Sequence, residues 1–198
     1  MLKLNKKGFL VVISSPSGAG KTTITKKLLS LICNCKLSVS ITTRSPRKNE
    51  KNNIDYTFVN KKTFRKFIKR NFFLEYAKVF DNYYGTLKST INKNLKKNNI
   101  ILLDIDWQGA RQIKQKLTDQ IVTIFILPPS LKILKERLLK RENNIKFVNK
   151  RMAKAKREIT HWKEYDFVVV NNNLSKCITE IKEIINVVKK KPRQFCIK

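Results

Sequence analysis

Histidine is almost missing from this chain: His161 stands alone, and the four cysteines, Cys33, Cys35, Cys177 and Cys196, include no C-x-x-C pair. A tetrahedral zinc site needs clustered thiolates and imidazoles, so that class of protein is disfavoured. Long apolar runs are lacking too. The one that follows the basic segment Met1 to Gly8 extends only from Phe9 to Ile13, too short for a secretory signal or a membrane span. The expected setting is the cytoplasm, with reduced thiols and no membrane partner. Acidic residues are scarce as well, 14 Asp+Glu against 44 Lys+Arg in 198 residues, for a formal net charge of +30. Such an excess ordinarily points to nucleic acid. Here the lysines are scattered from Lys3 to Lys198 and interleaved with asparagine, as in Lys93 to Asn99. Scattered charge attracts polyanions in a salt-labile, non-specific way, and no specific nucleic-acid partner is expected.

At this length the chain builds one substantial core. Four continuous apolar runs, Phe9 to Ile13, Ile100 to Ile105, Ile121 to Leu127 and Phe167 to Val170, predict strands of a mostly parallel sheet covered on both faces. Helical patterns lie at Thr22 to Leu31, Gln108 to Leu117, Leu131 to Leu139, Val148 to Trp162 and Ser175 to Val188. That alternation predicts a doubly wound α/β fold, a mostly parallel sheet flanked by helices. The interval from about Ser38 to Lys97 differs. It mixes β-prone pieces (Val39 to Thr43, Tyr56 to Val59) with the amphipathic run Phe64, Phe67, Ile68, and reads as a subdomain inserted between the first and second core strands.

The segment Ser15, Pro16, Ser17, Gly18, Ala19, Gly20, Lys21, Thr22 sits between the first apolar run and the first helical pattern. It fits a phosphate-binding loop, G-x-x-x-x-G-K-[ST], with serine in place of the first glycine. A strand that turns there into a helix aims backbone N–H groups and the positive end of the helix dipole at one point. Lys21 is expected to reach the terminal phosphates of a nucleotide and the Thr22 hydroxyl to hold a magnesium ion. The run Ile101 to Leu103 ends in Asp104, the form of a strand whose last carboxylate faces that metal, and Asp106 follows two residues on, expected on the same face. Arg44 and Arg47 flank a stiffening proline and could fork onto one phosphate, or belong to a solvated basic loop. Arg137 and Arg141, four apart, share a helix face beyond Pro128-Pro129, with Arg151 further on; this suits a mobile lid. His161 and the pair Cys33 and Cys35, taken as an apolar helix end, read as packing residues, and one of Tyr83 and Tyr84 as core.

These residues carry a family resemblance. Ser38 to Arg47, Asn82 to Thr86, Leu103 to Gly109, Phe125 to Ser130 and Val169 to Asn171 occur in order and at the separations found in guanylate kinases, which the chain resembles from about residue 7 to 188. The resemblance implies a P-loop kinase of purine nucleotide metabolism that transfers a phosphoryl group from ATP to GMP, and also to dGMP, with magnesium. It implies a core (7–37, 98–127 and 159–188), a GMP-binding region (38–97), a lid (128–158) and a basic tail (189–198). Ser40, Glu75 and Thr86 would then meet guanine, and Arg44, Arg47, Tyr56 and Tyr84 the GMP phosphate. Lys21 and Thr22 would serve ATP and magnesium, Asp104 and Asp106 the acceptor side and metal shell, and Arg137, Arg141 and Arg151 the charge of the transition state. Asn172, where the family often has an acid, receives no role. A kinase for another monophosphate, a catalytically silent interaction module of the same fold and a nucleic-acid binder are the rival readings; the intact Gly20-Lys21-Thr22 speaks against the second.

Overall fold

The computed structural model describes residues 8–117, 120–141 and 144–190, the side chain of Arg141 excepted. In chain order the elements are β1 (Phe9–Ser14), α1 (Lys21–Leu31), β2 (Cys35–Leu37), β3 (Ile41–Thr42), β4 (Thr57–Phe58), α2 (Lys61–Lys69), β5 (Phe73–Val79), β6 (Asn82–Leu87) and α3 (Lys88–Lys96). There follow β7 (Ile100–Asp104), α4 (Trp107–Lys116), β8 (Ile121–Leu127), α5 (Leu131–Arg141), α6 (Ile145–Thr160), a 3-10 turn (His161–Glu164), β9 (Phe167–Val170) and α7 (Leu174–Lys190).

The core sheet runs β2-β7-β1-β8-β9, every pairing parallel. All six residues of β1 are buried because the two faces of the strand are used alternately. Phe9, Val11 and Ile13 pack with Ile24 and Leu28 of α1 and Ile178, Ile181 and Ile185 of α7. Leu10 and Val12 pack on the opposite side with Ile91 of α3 and Ala110 and Ile113 of α4. A strand covered on both faces needs no polar residue, which is why the run is continuous.

The four apolar runs are all strands of this sheet, and a fifth, β2, lies at its edge. Cys35 therefore does not end a helix: α1 stops at Leu31, Asn34 takes a left-handed φ of 58°, and Cys35 starts β2 opposite Ile100. Cys35 is buried, but Cys33 is exposed rather than packed. With β2 in the core, the inserted region begins after the second strand of the sheet, not the first. It holds a second sheet, β4-β3-β6-β5, over a small aromatic core in which Phe64 stacks on Phe73 at 4.5 Å and on Tyr83 at 5.4 Å. The hairpin β5–β6 escapes a reading by alternation because its register shifts between Phe73 and Glu75, so both Leu74 and Glu75 are buried.

Further along, α6 starts three residues earlier than its apolar pattern. The side chain of Asn144 caps it, accepting from the Phe147 N–H at 3.2 Å. Helix α7 continues through Lys190, and the rest of the expected tail, Cys196 included, lies outside the described residues. Among the described residues, no helix is long and apolar enough to cross a membrane.

Candidate functional site

The carboxyl ends of β1 and β7 lie side by side, Ile13 opposite Asp104, where an open parallel sheet places its ligands. Between β1 and α1 the loop takes left-handed backbone only at Gly18 (φ 93°) and Gly20 (φ 97°). The position the motif gives to glycine is free of that demand, so Ser15 fits, its hydroxyl donating to the Pro16 carbonyl at 3.1 Å. Gly20 precedes the first turn of α1, leaving the unpaired N–H groups of that turn facing the cleft. Behind the loop, the buried Asn171 at the end of β9 donates from Nδ2 to the Ala19 carbonyl at 2.7 Å. A side chain at Gly20 would strike that amide at 2.6 Å, so the glycine is required twice over.

Lys21 opens α1 and forms an ion pair with Asp104 at the tip of β7. Burial draws its ammonium down to about 8, against the opposing pull of Asp106 and Glu158. Thr22 follows, exposed on the first turn. Asp106 does not share a strand face with Asp104, because β7 ends at Asp104. Instead Asp106 caps α4, accepting from the backbone N–H groups of Gln108 and Gly109 at 3.0 and 3.1 Å. It still lines the same cleft.

That cleft, of about 420 Å³, opens between the loop, the second sheet and α6. On the second-sheet side lies Glu75, 2% exposed, its Oε1 accepting from the Thr86 hydroxyl at 2.6 Å. Burial lifts its carboxyl to about 7, the Thr86 bond resisting and Asp106 adding to the rise. Ser40 lines the same part of the cleft. Gly109, on the first turn of α4, stands directly behind: a Cβ there would lie 2.5 Å from Glu75 Oε2. Gly109 closes the segment Leu103 to Gly109, but local pattern gives no reason for a glycine there, since its reason is a neighbour 34 positions away in the chain.

Arg44, Arg47, Tyr56 and Tyr84 line the cleft as well. The Arg44 guanidinium pairs with Glu50 at 2.8 Å and lies 5.4 Å from the Tyr56 ring centroid, and Tyr56 meets Tyr84 edge-on at 6.0 Å. Glu50 also accepts from the Arg47 backbone N–H at 2.9 Å, so one acid holds the Arg44 guanidinium and the main chain at Arg47. Its place within the basic loop was the one available signal for it. Of the two tyrosines, Tyr83 is the packing residue and Tyr84 faces the cleft.

The far wall is α6. Arg151 reaches across to donate to the Ser17 hydroxyl of the loop, and Lys154 and Glu158 line the cleft beside it. Spacings of three and seven residues from Arg151 put both on its face of the helix, a signal sequence reading passed over. Arg137 is not among the residues lining the cleft; it donates to the Asn171 carbonyl at 3.1 Å. Arg141 ends α5, and its side chain lies outside the described residues. His161 stacks at 3.7 Å on Trp107, not on the adjacent Trp162, and pairs with Glu164. Among the described residues no three histidine, cysteine or acidic side chains converge into a metal cage. Thr22 on the first turn of α1 and Asp104 at the end of β7 each carry a hard oxygen donor.

Residues 7–188 match the sequence model of a family described as guanylate kinase. A protein of Rickettsia prowazekii named guanylate kinase is 46% identical over 185 residues, covering 93% of each chain. Another of that name from Zymomonas mobilis is 43% identical over 193 residues, covering 97% of this chain and 89% of its own. The crystal structure of guanylate kinase from Anaplasma phagocytophilum superposes with a TM-score of 0.81 at 34% identity, covering 95% of this chain and 89% of that one.

Proposed function

The chain belongs to the guanylate kinase family, and from that premise we propose how its residues divide the transfer of a phosphoryl group from ATP to GMP. The enzyme is a nucleoside-monophosphate kinase, an ATP:GMP phosphotransferase. One observation carries the assignment of roles: a single cleft holds a phosphate loop with Lys21 on one side and the buried Glu75 carboxylate on the other.

Guanine offers N1–H and its 2-amino group as neighbouring donors, and a carboxylate accepts from both; adenine presents a lone pair at N1 and is repelled. Glu75 therefore selects the base, held in line by Thr86 and flanked by Ser40. Arg44 and Arg47 grip the GMP phosphate with Tyr56 and Tyr84, Glu50 keeping the Arg44 guanidinium ordered until the phosphate arrives. Residues 15–22 cradle the donor phosphates. Lys21 leaves Asp104 for them when ATP binds, since a triphosphate outcompetes one carboxylate for a compact ammonium. Magnesium would be held by Thr22 and Asp104, with Asp106 near by, and would offset the negative charge of the donor phosphates. Arg151, already on the loop, brings positive charge to the group in transit, and Arg137 and Arg141 join it from α5. No covalent intermediate on the protein is needed; alignment and charge suffice.

In this reading 38–97 is the GMP-binding region, 128–158 the lid, and the remainder of 7–188 the core. Base and phosphate receive all the assigned contacts, so dGMP is a substrate too. The free thiols of Cys33, Cys35 and Cys177 suit a reducing cytoplasm. A coupled assay offering ATP with GMP, dGMP, AMP, CMP or UMP in turn tests the whole reading. GMP and dGMP should turn over well above the rest, and Glu75→Gln should erode the preference for GMP over AMP. Full activity on GMP in that variant would assign guanine recognition elsewhere.

A further inference from the structure

The tip of the β5–β6 hairpin is a two-residue turn, Phe80-Asp81, between the paired Val79 and Asn82. Its first residue has a φ of 54°. Glycine is the usual occupant of such a position; a bulky aromatic there costs on the order of 1–3 kcal/mol, and strain of this kind is retained where something else depends on it. The ring is 37% exposed, so core burial does not account for it. Two ammonium groups lie over it instead: Lys154 Nζ at 4.6 Å and Lys150 Nζ at 5.7 Å from the centroid. Both lysines are on α6, one turn apart, flanking Arg151.

This contact links the second sheet to the helix on the far side of the cleft. The hairpin belongs to the sheet that carries Glu75 and Thr86, and α6 carries the arginine that touches Ser17 of the phosphate loop. Lys154 is held from its other side by Glu158 at 3.3 Å, a buried acid one turn further along. The lysine thus sits between a ring on one subdomain and a carboxylate on its own helix, facing a cleft that must receive several negative phosphates.

We propose that Phe80 is a positioning residue for phosphoryl transfer, acting through Lys154: its ring clasps α6 to the acceptor-nucleotide region and so sets Arg151 over the cleft. The inference rests on the reading of α6 as the helix that delivers Arg151. Contact of this type contributes roughly 0.5–2 kcal/mol, about 2- to 30-fold in a rate or binding constant.

The test is a double-mutant cycle on kcat and KM for GMP with saturating ATP, using Phe80→Leu, Lys154→Met and the pair, with Phe80→Tyr and Lys154→Arg as controls that keep ring and cation. Each of the first two should lower kcat/KM about 2- to 30-fold, the double variant should fall no further than the worse single, and the controls should stay within about 2-fold of the parent. Losses that multiply in the double variant, or Phe80→Leu at parental kcat/KM, would overturn the proposal. A purely structural role would lower the melting temperature of Phe80→Leu and leave its kcat/KM per folded molecule unchanged. Should Phe80→Leu fail to fold, the Lys154 pair decides: Met impaired and Arg active supports the clasp, and equal activity refutes it. Arg151→Ala is measured in parallel. If it turns over normally the reading of α6 fails, whereas a crippled Arg151→Ala beside an uncoupled cycle means that only the clasp fails.

Discussion

Gly109→Ala adds one carbon behind Glu75, the acid proposed to select guanine, and its consequence follows from three distances. The new Cβ would lie 2.5 Å from Glu75 Oε2, 3.0 Å from its Cδ and 3.2 Å from Ile105 Cδ1, where ordinary contacts begin at 3.4 Å. The carboxylate has to retreat by about 0.9 Å or turn about its last torsion. It is 2% exposed and tied to Thr86 at 2.6 Å, so retreat means breaking that bond or losing its alignment with the base. A hydrogen bond to a charged group contributes about 1.5–3 kcal/mol, so forfeiting one of the two to guanine amounts to about 10- to 150-fold. The loss should fall on kcat/KM for GMP, chiefly through KM, with KM for ATP unchanged. Helix propensity acts the other way, alanine being better than glycine by up to about 1 kcal/mol in a helix interior, so the melting temperature should move little. Steady-state kinetics with each nucleotide varied, beside a thermal melt, make the check. Gly109→Ala with kcat/KM for GMP within 2-fold of the parent would refute the argument that this helix turn fixes the acid by contact.

Acidity gives a second outcome: since burial holds Glu75 near 7, kcat/KM for GMP should fall as pH drops below that value, by up to tenfold per unit, while kcat stays flatter because bound guanine favours the ionised form. By linkage the raised pKa means that the nucleotide-free protein gives up stability as pH rises from 4.5 to about 7, and that GMP restores it; melts with and without GMP across that range check the sign. Arg151→Ala should lower kcat by about 10²-fold or more with a smaller change in KM. Arg137→Ala should slow turnover similarly and also raise KM for ATP, because Arg137 holds the Asn171 carbonyl behind the loop. An Arg137→Ala enzyme with normal kinetics would remove that arginine from the reaction.

The core was legible because both faces of β1, β7 and β8 are covered, which writes itself into the chain as unbroken apolar runs; β9 could be read from its apolar run as well, although as an edge strand it leaves Phe167 and Val170 exposed. The three-residue β2 left too short a trace, and the bulge at Phe73 and Glu75 erased the alternation that would have announced the hairpin. Loop chemistry at Lys21 and the paired arginines could be found from spacing, since each group is local. What stayed hidden depends on distant parts meeting: Gly109 behind Glu75, Asn171 behind Ala19, and Phe80 under the lysines of α6. Asp106 was placed in the right cleft for the wrong reason, the strand ending two residues before it and the helix cap taking it over.

The bond from Asn171 to Ala19 spans 152 positions of the chain, and that length has a consequence for synthesis. The loop emerges from the ribosome well before the amide that braces it, which directly follows β9, a strand that enters the sheet only beside β8. Nascent chains therefore carry the complete phosphate-loop sequence for some time without the finished donor pocket. A product terminated before β9 should neither bind nor consume ATP, so the gate on nucleotide use is the arrival of Asn171.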